Sequence, residues 1–306
     1  MGTPEFAVAS LKALLEARKN IVGVITAPDK PKGRGKKLGQ SPVKEYALAA
    51  GLKILQPANL KHHDFQKELR SLNADLQVVV AFRMLPEAVW SMPPDGTFNL
   101  HASLLPQYRG AAPINWAIIN GEKETGVTTF FLKHEIDTGS IIFQESEPIY
   151  PDDNVGDLYE RLMLKGAKLV LRTVNEIEAG TVNPKPQKES QSIKLAPKIF
   201  KDDCRIDWSN TSDNIYNMVR GLSPYPAAWT ILGDKIIKIF ESKQTKEEST
   251  EAPGTVKSNG KDTIEVATGD RQIRITELQL EGKKRMPAQE FIRGNERLLQ
   301  ERMSGS

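Results

Sequence analysis

The sequence has very little cysteine and histidine: one cysteine, Cys204, and four histidines in 306 residues. A single cysteine excludes an intramolecular disulfide and is typical of a protein in a reducing compartment. His62 and His63 are adjacent, and no histidine or cysteine cluster has metal-ligand spacing, so no metal is expected. Apolar runs stay below the roughly 18 residues of a membrane span, and the N-terminus has no signal-peptide or myristoylation pattern. We therefore expect a cytoplasmic protein that does not bind a membrane.

Several catalytic motifs are also missing. The sequence has no GxSxG nucleophile motif and no phosphate-binding P-loop, which argues against acyl-serine chemistry and ATP hydrolysis. The turn GTPEFA near the N-terminus is not a GxGxxG fingerprint, which argues against a dinucleotide site. The net charge is only +3, so a nucleic-acid partner is allowed, but its surface would have to be local.

The first 150 residues alternate short β-branched runs with helical segments, which predicts an α/β fold with an open, mostly parallel sheet. The predicted strands are NIVGVIT (20–26), LKILQP (52–57), DLQVVVAF (75–82), TFNLH (97–101), VTTFFL (127–132) and SIIFQES (140–146). A helix is expected after Ser41, which can cap it, with Pro42 at its first position. Ligands of such sheets collect at the carboxyl ends of the strands.

The chain opens with GTPEFAVASLKALLEA, the pattern of a strand-to-helix turn followed by its helix, yet no strand precedes it. A doubly wound sheet needs such a strand near its centre. We therefore expect a gap in the sheet, and apolar, β-branched residues upstream of residue 1 in the natural protein.

The composition changes after the helical segment that ends near residue 180. Residues 181–199 are polar and contain prolines, which predicts a linker. Residues 200–306 have short strand patterns separated by turn dipeptides such as Asn259–Gly260, which predict a small β-barrel. The expected organisation is a domain over 1–180, a linker over 181–199 and a second domain over 200–306.

Asn99 and His101 are the first candidates for chemistry. In an extended strand they project to the same face, while Phe98 and Leu100 face the opposite layer. Asp137 precedes a turn between two further strands, so all three side chains are expected at strand ends on one rim. An amide and an imidazole that stabilise an oxyanion, with a carboxylate that orients the imidazole or takes up a proton, suit attack of an amine on a carbonyl. The alternative is that these residues only satisfy a strand end and cap a turn.

Two basic clusters are candidates for phosphate contacts. One lies in a predicted glycine-containing flexible loop and consists of Lys30, Lys32, Arg34, Lys36 and Lys37. The other consists of Lys283, Lys284 and Arg285, before the last predicted helix. The alternative for both is an exposed run of solvated charge.

Taken together, the motifs resemble those of methionyl-tRNA formyltransferases over nearly the whole chain. They are GTPEFA (2–7), PDKPKGRGKKLGQSPVK (28–44), VVAFRMLP (79–86), NLHASLLPQYRGAAPINWAI (99–118), ETGVTTFFL (124–132), IDTG (136–139), RIDWS (205–209), GLSPYPAAW (221–229), APGT (252–255) and GKKRMPAQEF (282–291). The SLLP-x-YRG block with its upstream Asn-x-His is the most specific of them. Many relatives carry an aromatic residue followed by glycine where this chain has Phe82–Arg83.

The resemblance implies a Rossmann-like catalytic domain followed by an OB-like barrel that contacts tRNA. It implies 10-formyltetrahydrofolate as formyl donor, tetrahydrofolate as product and the amino group of methionine on initiator tRNA as acceptor. Asn99, His101 and Asp137 match the catalytic residues of the family. The implied folate contacts are Ser103, Leu104, Leu105 and Pro106, together with Ala81, Phe82, Arg83, Met84 and Leu85.

Three other functions fit parts of the pattern. A formyltransferase acting on an amino-sugar nucleotide shares the Asn-x-His, SLLP, YRG and Asp features, but has no need of five basic residues between Lys30 and Lys37. A purine-pathway formyltransferase needs no C-terminal barrel. A non-catalytic RNA-binding protein would bind no folate and leaves the Asn99, His101 and Asp137 set unexplained. We expect the enzyme to be a monomer.

Overall fold

The computed structural model describes residues 1–32, 37–188 and 192–304, the side chains of Lys32 and Lys37 excepted. The helices are α1 (Glu5–Glu16), α2 (Pro42–Ala49), α3 (His63–Ser71), α4 (Glu87–Trp90), α5 (Pro113–Ile119), α6 (Val155–Glu178), α7 (Ser212–Leu222) and α8 (Ala288–Asn295). The strands before α7 are β1 (Val24–Ile25), β2 (Lys30–Lys32), β3 (Lys37–Gly39), β4 (Ile54–Leu55), β5 (Gln77–Val80), β6 (Thr97–His101), β7 (Arg109–Gly110), β8 (Glu124–Phe131), β9 (Ile141–Pro148) and β10 (Leu195–Ala196). The later strands are β11 (Ala228–Leu232), β12 (Lys235–Glu248), β13 (Val256–Ser258), β14 (Ile264–Ala267), β15 (Arg271–Leu280), β16 (Met286–Pro287) and β17 (Met303–Ser304).

The chain divides into two compact units. Unit 1 consists of residues 1–110, 125–147 and 160–195, and unit 2 consists of residues 111–124, 148–159 and 196–306. Among the described residues, no helix is long and apolar enough to cross a membrane.

Helix α2 illustrates how local sequence positions an element of unit 1. The side chain of Ser41 accepts a hydrogen bond from the Lys44 amide at 3.1 Å, and Pro42 occupies the first turn, as predicted. A serine cap satisfies one of the amides that a helix start leaves without an intrahelical partner. The helix ends before Gly51, whose φ of +68° suits glycine.

The sheet of unit 1 is mixed rather than mostly parallel, which corrects the sequence-based expectation. Its four-stranded part has the order β5-β6-β8-β9, and β5 runs parallel to β6 with Val80 paired to Leu100. Strand β8 runs antiparallel to β6, with His101 paired to Thr128. A parallel pair requires a long crossover, whereas the short segment between β8 and β9 suits a hairpin.

The first two residues of the chain connect two parts of this sheet. The Gly2 amide donates to the Ile25 carbonyl oxygen at 3.0 Å, and the Val80 amide donates to the Met1 carbonyl oxygen at 2.9 Å. These residues therefore lie between β1, which pairs in parallel with β4, and β5. A groove of about 130 Å³, lined by Leu14, Ile25 and Val80 among others, lies beside them.

The α-amino group of Met1 is buried in this part of the sheet. It donates to the Val78 carbonyl oxygen at 2.6 Å. Burial lowers the pKa of this amine to about 5, because the ammonium form loses its hydration. Above this pH the folded chain therefore favours the neutral amine.

Unit 2 is built around an antiparallel sheet with the order β13-β14-β15-β12-β11-β17, and β16 pairs with β15. The Met303 amide at one end of this order donates to the Gly254 carbonyl oxygen at 2.8 Å, just before β13, which nearly closes the sheet into a barrel. Its interior is filled by apolar side chains that include Ile237, Leu278 and Phe291. Helix α5 belongs to this unit, where the Asn115 side-chain amide donates to the Gly221 carbonyl oxygen at 2.8 Å.

Extending the chain before Met1 by three β-branched residues should raise its melting temperature. The extension converts the buried amine into an amide and fills the groove. Filling 130 Å³ is worth about 3 kcal/mol at roughly 24 cal/mol per Å³. The charge-burial cost is complete below pH about 5 and absent above pH 8, because the folded pKa lies below the unfolded one. The gain should therefore be largest at low pH, which thermal melts between pH 5 and 8 measure.

A Ser-Gly-Ser extension of the same length is the matched control. It removes the buried amine without adding apolar contacts, so it should reproduce only the pH-dependent part of the gain. Equal melting temperatures for both extensions at every pH would contradict the contribution of the groove.

Candidate active site

His101 stands at the carboxyl end of β6, where the sequence predicts a strand over 97–101, and only 6% of its surface is exposed. Its Nε2 lies 2.8 Å from the Tyr108 carbonyl oxygen. Because a carbonyl oxygen can only accept, Nε2 carries the proton. The other ring nitrogen, Nδ1, carries no proton and can accept one.

Asp137 faces this nitrogen. Its Oδ2 lies 3.8 Å from His101 Nδ1 and accepts a hydrogen bond from the Gly110 amide at 3.0 Å. The exposed fraction is 7% for the His101 side chain and 12% for the Asp137 side chain. The carboxylate is therefore placed to stabilise a positive charge on the imidazole.

Asp137 does not lie directly at a strand end beside His101, contrary to the sequence-based expectation. It reaches His101 through the loop that follows β8. Because β8 is antiparallel to β6, the end of β8 at Phe131 lies beside Phe98, away from His101. The segment 132–140 after β8 returns toward the carboxyl end of β6. We call this segment the returning loop.

Three features define the conformation of the returning loop. Asp137 has a φ of +54°, a left-handed conformation that aspartate adopts more readily than most residues. A Cβ on Gly139 would lie 1.5 Å from the Phe131 carbonyl oxygen, so only glycine fits there. The side-chain amide of Gln187 donates to the Asp137 and Gly139 carbonyl oxygens at 2.7 and 2.9 Å. Sequence reasoning missed Gln187, because it lies in a polar segment without periodicity.

Asn99 lies two residues before His101 on β6, paired with Val79 on β5 and Phe130 on β8. Its Oδ1 is buried and has no hydrogen-bond partner among the residues that the structure describes. An unpaired buried acceptor costs about 1–3 kcal/mol, so this amide is a candidate for a ligand contact.

The turn that follows β6 contains Ser103, Leu104, Leu105 and Pro106, and contacts from β8 and β9 hold it in place. Thr128 Oγ1 donates to the Ser103 carbonyl oxygen at 2.6 Å and accepts from the Leu105 amide at 3.2 Å. Gln144 Nε2 donates to the Leu105 carbonyl oxygen at 2.9 Å. Ser103 is fully buried, and its hydroxyl donates to the Gln107 carbonyl oxygen at 2.6 Å. That hydroxyl therefore has an internal acceptor.

The segment Ala81–Leu85 follows β5 at the same end of the sheet as His101, because β5 and β6 are parallel. Ala81 is exposed with a φ of +45°, Met84 is exposed, and Leu85 is buried. Phe82 is half-buried, and the Arg83 guanidinium lies 5.5 Å from its ring centre.

Arg83 contacts the chain that follows β4. One of its nitrogens donates to the Ala58 carbonyl oxygen at 2.9 Å, and another donates to the Pro57 carbonyl oxygen. In this structure Arg83 therefore holds residues 57–58 against the segment after β5.

The basic cluster after β1 is partly a ribbon, which corrects the expectation of a flexible loop. Lys30 lies in β2, and the antiparallel register places Lys32 opposite Lys37. Arg34 and Lys36 lie outside the described residues. The residue before the ribbon, Asp29, accepts hydrogen bonds from Lys44 at 2.6 Å and Gln56 at 2.9 Å. These hydrogen bonds hold the pKa of the Asp29 carboxyl below its ordinary value, and the bond from Lys44 has the larger effect.

The second basic cluster lies in unit 2. Lys283 and Lys284 are exposed. Arg285 forms an ion pair with Glu277 and lies 4.5 Å from the centre of the Phe240 ring. Within the described part of the chain, no group of three or more His, Cys, Asp or Glu side chains is placed to hold a metal ion.

Comparison with known proteins shows which family this chain belongs to. The profile described as "Formyl transferase" matches residues 1–174, and the profile described as "Formyl transferase, C-terminal domain" matches residues 198–296. A methionyl-tRNA formyltransferase of Bacteroides fragilis is 54% identical over 302 residues, which cover 96% of this chain and 93% of that protein. The chain belongs to the methionyl-tRNA formyltransferase family.

Other relatives agree with this membership. A methionyl-tRNA formyltransferase of Azobacteroides pseudotrichonymphae is 56% identical over 310 residues, covering 98% of this chain and 96% of that protein. The family resemblance stated from the sequence motifs is thereby confirmed. An N-formyltransferase from Helicobacter canadensis, solved with folinic acid and dTDP-3-aminofucose, has a TM-score of 0.64 over 90% of this chain and 96% of that chain. At 22% identity, that likeness shows the shared fold.

Replacing Gly139 with alanine should lower the melting temperature strongly, because the added Cβ collides with backbone and displaces the returning loop. Gly294→Ala is the matched control, since a Cβ there meets nothing within 4 Å and Gly294 lies inside helix α8. The control should be neutral or stabilising by up to about 1 kcal/mol. Thermal melts of both variants test this, and equal effects would mean that the returning loop adapts to the collision.

Proposed function

We propose that this chain transfers the formyl group of 10-formyltetrahydrofolate to the free amino group of methionine on initiator Met-tRNA, for translation initiation. Its membership of the methionyl-tRNA formyltransferase family, at 54% identity over 96% of the chain, supports this activity. The observation that supports the site is the pair of His101 and Asp137, with Nδ1 and Oδ2 3.8 Å apart. His101 lies on the strand that also presents Asn99. We infer that these three residues are catalytic.

His101 is the proton acceptor in this proposal. Attack of an amine on a formyl carbon leaves a proton to remove from the amine nitrogen. With Nε2 fixed on the Tyr108 carbonyl oxygen, Nδ1 is the ring nitrogen that can receive that proton. The Asp137 carboxylate then stabilises the imidazolium without a covalent intermediate on the protein.

Asn99 is the group that contacts the reacting atoms. In this proposal its Oδ1, which is buried and has no hydrogen-bond partner among the described residues, accepts an N–H of the attacking amine. A half-turn of the side-chain amide presents its N–H groups instead, which can stabilise negative charge on the formyl oxygen. Either orientation gives the unpaired amide a partner that exists only when substrate is bound.

10-Formyltetrahydrofolate supplies the formyl group. The bond between the formyl carbon and folate N10 breaks, the proton that His101 took from the amine passes to N10, and tetrahydrofolate is the product. The residues available to hold the folate are Ala81, Phe82, Arg83, Met84 and Leu85 after β5 and Ser103, Leu104, Leu105 and Pro106 after β6. We infer that the second set lines the folate site, with the Ser103 hydroxyl engaged by the Gln107 carbonyl oxygen. Arg83 contributes by holding its own segment against residues 57–58.

The tRNA contacts are assigned to the basic ribbon, with Lys30, Lys32, Arg34, Lys36 and Lys37, and to Lys283, Lys284 and Arg285 on a barrel of OB type. The backbone register of the ribbon sets positions 32 and 37 opposite one another, and a segment with several cations suits contact with a phosphate backbone. Asp29 and its partners fix the base of the ribbon, so the basic residues start from a rigid point. We further propose that the enzyme is cytoplasmic, since its acceptor is a charged tRNA, and that it is a monomer.

A sugar-nucleotide acceptor is the second candidate. The sugar-related structure shares only 22% identity, against 54% for the methionyl-tRNA formyltransferase of Bacteroides fragilis. An assay with purified protein and 10-formyltetrahydrofolate, offering charged initiator tRNA or an amino-sugar nucleotide, separates the two. Formylation of the sugar nucleotide but not of Met-tRNA would overturn the proposal.

Asn99→Ala and His101→Ala should each lower kcat by roughly 10²- to 10³-fold, the cost of removing one transition-state interaction. Asp137→Asn should also lower kcat strongly, because it keeps the shape of the side chain but removes the charge. Binding of Met-tRNA should change little, since these groups act mainly in the transition state. Steady-state kinetics and tRNA binding measure both effects.

His63→Ala is the control for these variants, because His63 is an exposed histidine on helix α3. It should retain the parent kcat. Near-parent turnover of Asn99→Ala or His101→Ala would leave those residues with a structural role only.

Replacing Lys32, Arg34 and Lys36 together with alanine should weaken use of Met-tRNA. The salt dependence of tRNA binding should flatten by about one unit of slope for each phosphate that the variant no longer neutralises. Arg34 should have the largest single effect, because a guanidinium can bind phosphate through two hydrogen bonds. Folate affinity should stay at the parent value, and kinetics at two salt concentrations test both expectations.

The matched control removes three exposed lysines elsewhere on unit 1, Lys12, Lys53 and Lys67. It changes the net charge by the same amount and should leave the slope unchanged. If the ribbon variant formylates Met-tRNA as well as the parent does, the ribbon is only a solvated run of charge.

A further inference from the structure

Gln187 connects an arginine to the returning loop. Its Oε1 accepts two hydrogen bonds from Arg109, from Nε at 3.1 Å and from Nη2 at 2.6 Å. Its Nε2 donates to the carbonyl oxygens of Asp137 and Gly139. Both ends of the side-chain amide are therefore engaged, and Arg109 orients the amide so that its donors face the returning loop.

One of these hydrogen bonds is made to the backbone of Asp137, which has an unfavourable conformation. Asp137 has a positive φ, a conformation that costs free energy for any residue with a Cβ. The donor atom of Gln187 reaches the carbonyls on both sides of Thr138, so it holds the turn as a unit. The Asp137 carboxylate is itself held by the amide of Gly110, the residue after Arg109.

From this geometry we infer that Gln187 is a positioning residue for the formyl transfer: it holds Asp137 against His101 Nδ1, and Arg109 orients it. The inference rests on the proposed catalytic role of Asp137. The hydrogen bonds of the Gln187 side chain go to Arg109 and to backbone carbonyls, so it acts through Asp137. A misplacement of about 1 Å in a catalytic group can cost on the order of 10²-fold in rate.

Gln187→Glu tests which half of the side chain matters. The carboxylate keeps the size of glutamine and still accepts from Arg109, but it has no N–H to donate to the returning loop. We expect kcat to fall by about 10- to 100-fold, with KM for either substrate little changed. Gln187→Met removes both sets of hydrogen bonds without adding charge, and should show the same loss of kcat if the glutamate variant is poorly folded.

A merely structural role is distinguished by a double-mutant cycle with Asp137→Asn. If Gln187 acts through Asp137, adding Gln187→Glu to Asp137→Asn should lower kcat no further. Independent effects would multiply. Gln66→Met is the stability control, because the Gln66 side chain also donates to a loop carbonyl, that of Leu60 at 3.3 Å, away from the site.

The outcomes separate this inference from the proposed function. Parent kcat in both Gln187 variants, or losses of kcat that multiply with Asp137→Asn, would overturn the positioning role while the catalytic assignment stands. Parent kcat in Asp137→Asn would overturn both. If Gln187→Met and Gln66→Met have the same melting temperature and lose the same amount of kcat, the loss reflects stability and the positioning role is also rejected.

Discussion

The hydrogen bond between His101 Nε2 and the Tyr108 carbonyl oxygen determines how the imidazole can be used. It sets the position of the proton on the ring and turns the basic nitrogen toward Asp137. The bond exists only while the chain between His101 and Tyr108 keeps its shape. Thr128 and Gln144 maintain that shape through hydrogen bonds with backbone groups of the turn. The support for the imidazole therefore comes from three neighbouring strands rather than from its own strand alone.

The mixed character of the sheet creates the other half of the site. A parallel β8 would have ended beside His101 and left its following loop free to point away. Because β8 is antiparallel to β6, the returning loop has to lie close to the strand end that carries His101. The loop adopts a conformation that Gly139 permits and that Gln187 and the Gly110 amide hold. The placement of Asp137 beside His101 thus depends on strand direction, one obligatory glycine and hydrogen bonds to the backbone.

The parallel part of the sheet has a different role. Its carboxyl ends carry the segment Ala81–Leu85, the chain at 57–58 that Arg83 contacts, and the base of the basic ribbon. In the proposed function, substrate binding and proton transfer therefore use different parts of the sheet. In that proposal, the segment Ala81–Leu85 and the basic ribbon contact the substrates after the parallel strands, whereas Asn99 and His101 lie where the parallel and antiparallel parts meet at β6.

Much of this could be predicted from the sequence because it depends on local chemistry. The strand over 97–101, the common face of Asn99 and His101, and helix α2 with its Ser41 cap follow from periodicity and capping. The motifs also identified the family. Strand direction could not be predicted in the same way, because a run such as VTTFFL has the same local pattern in a parallel or an antiparallel pair. Gln187 was equally invisible, since a glutamine in a polar segment has no periodic signal and acquires its role only when the fold brings it to Asp137, 50 residues away in the chain. Local sequence therefore specifies which residues can do the chemistry, whereas the folded chain sets which of their atoms face one another, because those distances depend on hydrogen bonds between distant segments.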